Sequence, residues 1–143
     1  MKGPDAGLRK LIHTHLPMPD WRWAAVETGA SAAGLPDSHF LYRPGDFTGW
    51  VESKRADHWA VKFEPHQLAF WRLHGTAVRG YIAVRAFGAN QTDGKGDGLY
   101  LYRGWEATLL DEQGLHYRPF LKITGPVREW NWALVAEALT SDR

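Results

Sequence analysis

The stretch from Gly34 to Lys54, GLPDSHFLYRPGDFTGWVESK, constrains this chain more than any other. Its middle, RPGDFTG, is turn chemistry: Pro44 presets its own φ and Gly45 tolerates conformations that other residues avoid. Strand-like runs flank the turn, from Asp37 to Tyr42 and from Trp50 to Lys54. An earlier run, Trp21 to Thr28, suits a first strand, so the three are expected to form an antiparallel meander. Side chains alternate along a strand, which puts Glu52 and Lys54 on one face and Ser53 on the other. If the two strands pair across the turn, Asp37 approaches Glu52 and Lys54.

The rest of the chain supplies helices and further strands. Residues 6–16 read as a helix with Leu8, Leu11, Ile12 and His15 on one face, ended by Pro17 and Pro19. A second helix is expected from Pro65 to about His74, with Pro65 in its first turn and Gly75 at its stop. Gly80 to Phe87 is apolar enough for a buried strand. Residues 88–98 form a Gly-rich loop, and LYLYRGWEATLL offers one more strand or two short ones. A last helix is expected from Pro126 to about Leu139, with Val127, Trp130, Leu134 and Ala138 on one stripe. The expectation is one α/β domain: an α-β-β-β-α-β core over about residues 6–87, with a mixed sheet flanked by helices, and a β/α extension over 88–143.

Bulk properties narrow the function classes. The 143 residues suit a single core, and a hydrophobic fraction of 44% excludes a disordered chain. A net charge of +1 argues against a purely electrostatic nucleic-acid binder. With no Cys, disulfides and thiolate metal sites are excluded. No apolar run approaches the roughly 18 residues of a membrane span, and MKGPDAGLRK lacks the apolar stretch of a signal peptide. A cytoplasmic protein, bacterial or of a phage in its host, is the expectation. The eight Trp can fill a core or stack on bases, and their number alone does not decide.

Two carboxylates beside a lysine suit phosphodiester hydrolysis. Asp37 and Glu52 are hard-oxygen donors for Mg²⁺ or Mn²⁺. A divalent ion there would acidify a water and offset charge on the reacting phosphate, while Lys54 could position the water or stabilise that charge. GLPDSHF followed by GWVESK resembles the signature of the PD-(D/E)XK nuclease superfamily, and Gln67 on the next helix is similar to the pattern in VRR-NUC domains and Holliday-junction resolvases. The small-residue lead-in ETGASAAGLPD and the element order resemble that group as well. The resemblance spans roughly residues 6–87 and leaves the remainder unexplained.

The resemblance implies a role for each matching residue. Asp37, Glu52 and the backbone carbonyl of Ser53 would ligate the metal, Lys54 would be the catalytic lysine, and Gln67 would orient Lys54, a water or a phosphate. Many members carry an acid in the first helix, but this chain has none between Gly7 and Leu16. Glu27 is the nearest candidate for a second metal and Asp5 a poorer one. The implied activity is a Mg²⁺-dependent DNA endonuclease, and a homodimer follows by analogy with resolvases that cut two strands.

Outside the motif, Arg55, His58 and Lys62 could bind phosphates, and Trp59 is the best candidate to stack on a base. His13 and His15, two apart on a helix, make a poor chelate and read as surface residues. DGKGDG at 93–98 lacks the acids of a calcium loop and reads as a hairpin loop. The competing reading is a non-catalytic nucleic-acid-binding module, which has no need of Asp37, Glu52 and Lys54 together. A structural or assembly protein is the third, should the motif be accidental.

Overall fold

A computed structural model of the chain describes residue 5 and residues 7–26, 34–87 and 98–141. Its elements are α1 (Leu8–His15), β1 (Trp21–Ala25), β2 (Ser38–Tyr42), β3 (Phe47–Ala56), α2 (Pro65–His74), β4 (Gly80–Ala86), β5 (Gly98–Arg103), α3 (Ala107–Gln113), β6 (Leu121–Thr124) and α4 (Trp132–Thr140). The strands form one six-stranded sheet in sequence order. β3 and β4 run parallel, and every other neighbouring pair is antiparallel. A parallel pair needs a crossover, and α2 supplies it. The fold is α/β with a mixed sheet flanked by helices, as expected.

Alternation along the strands divides the core in two. Phe40, Val51, Tyr81, Ala83, Leu99 and Leu101 pack with Leu8, Ile12 and Leu16 around α1 and with Val135 and Leu139 of α4. Ile82, Val84, Ala86, Tyr100 and Tyr102 pack with Trp71 of α2 and with Ala107 and Leu110 of α3. β4 is therefore covered on both sides, which explains its run of apolar residues.

Several expectations need correction. α1 buries Leu8 and Ile12, with Leu16 just beyond it, while His15 is exposed. β3 begins at Phe47 and runs ten residues, so the turn before it shrinks to Arg43–Asp46, closed by Asp46 N–H to Arg43 C=O at 3.1 Å. The strand expected through GWEATLL stops at Arg103, where a 3₁₀ turn (Gly104–Glu106) leads into α3. β6, which was not foreseen, pairs with β5. The last helix starts at Trp132, capped by Asn131, whose side chain accepts the Ala133 N–H at 3.1 Å. That fresh start shifts the buried face to Val135 and Leu139 and leaves Leu134 exposed. The 93–98 loop motif falls mostly in residues 88–97, outside the described residues.

Trp21, Trp71 and Trp130 are buried and Trp105 is exposed. Trp23, Trp50, Trp59 and Trp132 pack partly buried against the two cores. Most of the tryptophan surplus is thus structural. Among the described residues no helix is long and apolar enough to cross a membrane.

Candidate functional site

Asp37 sits where the β2–β3 ladder ends. The last paired residues are Ser38 and Val51. Beyond them the Asp37 side chain takes over from the backbone: its Oδ2 accepts the Ser53 N–H at 2.8 Å. Its main-chain carbonyl accepts the Val26 N–H at 2.9 Å, which ties the residue to the end of β1. The approach to Asp37 depends on Gly34, whose φ is +88° and where an added Cβ would lie 2.7 Å from the His66 carbonyl oxygen. Only glycine combines that backbone conformation with so close a pass over the first turn of α2.

Glu52 and Lys54 project from β3 on the α2 side, and the antiparallel register brings Asp37 beside them. Glu52 is 4% exposed, and its Oε1 is buried with no hydrogen-bond partner. Lys54 Nζ donates to Gln67 Oε1 at 2.7 Å and lies 4.6 Å from the centre of the Phe63 ring. The same Gln67 oxygen accepts the Glu64 N–H at 2.9 Å at the start of α2. Helix capping therefore fixes the group that holds the lysine. All four of Asp37, Glu52, Lys54 and Gln67 converge at one place.

The protonation of the site follows from burial. Desolvation pushes Asp37 up to about 6, opposed by its hydrogen bonds from Ser53 and Ser38. Desolvation also pushes Glu52 up, to about 8, and the Asp37 charge beside it adds to the rise while Lys54 opposes it. Burial lowers Lys54, and Glu52, Asp37, Glu64 and Asp111 counteract that shift. Two adjacent buried carboxyls disfavour double ionisation unless a cation joins them.

The other nominated residues are spread out. Glu27 lies outside the described residues. Arg55 points to the opposite face of β3, pairs with Asp57 at 2.7 Å and lies over Phe87 at 4.6 Å. His58 and Lys62 are exposed. Trp59 is half-buried and already stacks on His116, with ring centroids 4.5 Å apart.

The sequence misses two contributors, His13 and Asp111, and ranks a third, Asp5, below Glu27. His13, expected at the surface, is half-buried and reaches Ser38 Oγ with its Nε2 at 2.9 Å. Asp5 is close enough to raise both Asp37 and Glu52. It caps the start of α1, accepting the Gly7 N–H at 3.0 Å and the Arg9 N–H at 3.2 Å. Asp111 comes from α3, just beyond the segment expected as strand, and accepts the Phe63 N–H at 3.3 Å. The turn-forming Asp5-x-Gly7 pattern before a helix was the one local signal of these placements.

The donor set fits a hard divalent ion. An orphaned buried carboxylate oxygen beside a second carboxyl is what such an ion would satisfy. Among the described residues no group of three or more His, Cys, Asp or Glu side chains could hold a metal. An ion here would thus draw on Asp37, Glu52, main-chain carbonyls and water, a coordination that suits Mg²⁺. No family model, curated protein or solved structure matches this chain.

Proposed function

We propose that this protein is a Mg²⁺- or Mn²⁺-dependent DNA endonuclease of the PD-(D/E)XK type, with a preference for structured DNA such as junctions. The observation that carries the reading is the orphaned Glu52 Oε1 beside Asp37, next to a lysine held by Gln67. The resemblance of GLPDSHF and GWVESK to that superfamily supports it, as does the α-β-β-β-α-β order over residues 8–86.

Asp37, Glu52 and the Ser53 carbonyl would hold the ion. When bound, it supplies a water of lowered pKa and neutralises charge on the phosphate. Lys54, fixed by Gln67 at 2.7 Å, places a donor where charge develops in the transition state. The exposed His58 and Lys62 would contact phosphates near the site, whereas Arg55, on the opposite face of β3, and Trp59, stacked on His116, are already engaged. Asp5 is a described acid that could assist a second ion, because its charge acts on both carboxyls. A homodimer would let two such sites cut two strands.

The test is cleavage of linear, single-stranded, flapped and four-way DNA with Mg²⁺ or Mn²⁺. Cleavage is expected to stop with EDTA. Lys54→Ala should lower the rate by about 10²–10³-fold or more while DNA binding persists. DNA binding by the wild type without cleavage of any substrate would favour the non-catalytic module instead.

A further inference from the structure

We propose that His13 is a positioning residue for Asp37, acting through Ser38 to lock the carboxylate for a divalent cation. The inference rests on the metal-site reading above and concerns how that site is held.

His13 lies on α1, next to Ile12, which is in the core on the sheet face opposite α2. Its ring stacks on Trp23 with centroids 4.6 Å apart and planes inclined by 18°. Trp23 is itself fixed, since its Nε1 donates to the Leu16 carbonyl at 2.9 Å. The imidazole plane is therefore set by packing. Its Nε2 lies 2.9 Å from Ser38 Oγ, and Ser38 Oγ lies 3.1 Å from Asp37 Oδ1. Ser38 is 1% exposed, so the middle of this chain of contacts is buried.

The direction of these bonds follows from proton counting. A serine hydroxyl has one hydrogen, and an ionised carboxylate can only accept. Ser38 must then donate to Asp37, and His13 must donate to Ser38 from a protonated Nε2. Burial, with Arg9 nearby, lowers the His13 pKa and favours the neutral ring. One oxygen of Asp37 is thus held by the His13–Ser38 relay and the other by the Ser53 N–H. Neither oxygen is free to swing, and each keeps a further lone pair for an ion. Such partners of a metal ligand orient it and raise affinity, and their loss typically costs about 10–100-fold in binding.

The experiment is calorimetric titration of Mn²⁺ alone into the metal-free full chain. Wild type, Asp37→Ala, His13→Ala, His13→Gln, Ser38→Ala and the His13→Ala/Ser38→Ala double variant are compared, with circular dichroism and melting curves for each. His13→Ala should weaken Mn²⁺ binding by about 10–100-fold with its fold intact. His13→Gln, whose amide can still donate, should recover most of the loss. The double variant should bind as weakly as the weaker single one, because one relay broken twice is still one relay. If His13→Ala proves unfolded, the comparison passes to Ser38→Ala against wild type, since that change removes only a hydroxyl. Wild-type affinity in the folded relay variants, or additive losses in the double variant, would overturn the inference and leave the metal site standing. Wild-type binding that is absent or indifferent to Asp37→Ala would instead overturn the metal site, and the relay with it.

Discussion

Glu52 and Asp37 are carboxyls that the fold keeps protonated longer than water would. Their raised pKa values mean that the folded chain binds more protons than the unfolded chain at pH values between the ordinary carboxylate range and about 8. Stability therefore falls as pH rises through that window, and it is fully present only below the unfolded pKa. In EDTA, urea unfolding should show the wild type losing stability from pH 5 to pH 8. Glu52→Gln, which carries no charge to bury, should lose less over the same range. Mn²⁺ should restore wild-type stability at pH 8, because an ion takes the place of the proton. Equal slopes for wild type and Glu52→Gln would mean that the buried charge of Glu52 is not felt.

At the scale of elements, the site is a junction between a strand end and a helix start. Gly34 lets the chain enter β2 against the first turn of α2, and Gln67 in that turn holds Lys54. Gly34→Ala should destabilise the protein by about 1–3 kcal/mol through its positive φ alone, and contact with the His66 carbonyl adds to that. Denaturant unfolding measures the loss. A Gly34→Ala protein as stable as wild type would show that this approach is not tight. α2 was legible because its boundaries are local: Pro65 opens it and Gly75 ends it. α3 was not, because only Gly104 separates LYLYR from WEATLL, and Trp105–Leu110 is too short to show a helical period. Gly104 sits against the Trp71 ring, where a Cβ would come within 2.2 Å of it, and that contact with α2 turns the chain. No local pattern announces a packing partner so far back along the chain.

For the whole molecule, the extension beyond residue 87 is part of the core. β5 pairs with β4 from Tyr81 to Ala86 and buries Leu99, Tyr100, Leu101 and Tyr102. α3 covers Trp71 and sends Asp111 to the Phe63 backbone beside Lys54. A fragment ending at residue 87 would expose a buried strand edge and half of each cluster. It should be unfolded or aggregated by circular dichroism and size-exclusion chromatography. A soluble fragment with cooperative melting would show that the first six elements stand alone.

The pieces whose causes are local were legible from the residues alone. Alternation put Glu52 and Lys54 on one face, turn residues joined β2 to β3, and helix punctuation placed Gln67. Glu52, Lys54 and Gln67 lie on β3 and α2 and Asp37 directly precedes β2, so local patterns made all four legible together. The tertiary structure decided what surrounds them. His13 reaches Ser38 from a helix twenty-five residues earlier, and Asp111 arrives from forty-eight residues beyond Phe63. Desolvation of the carboxyls is also a property of the assembled core, since it comes from the layers packed over them rather than from their neighbours in the chain.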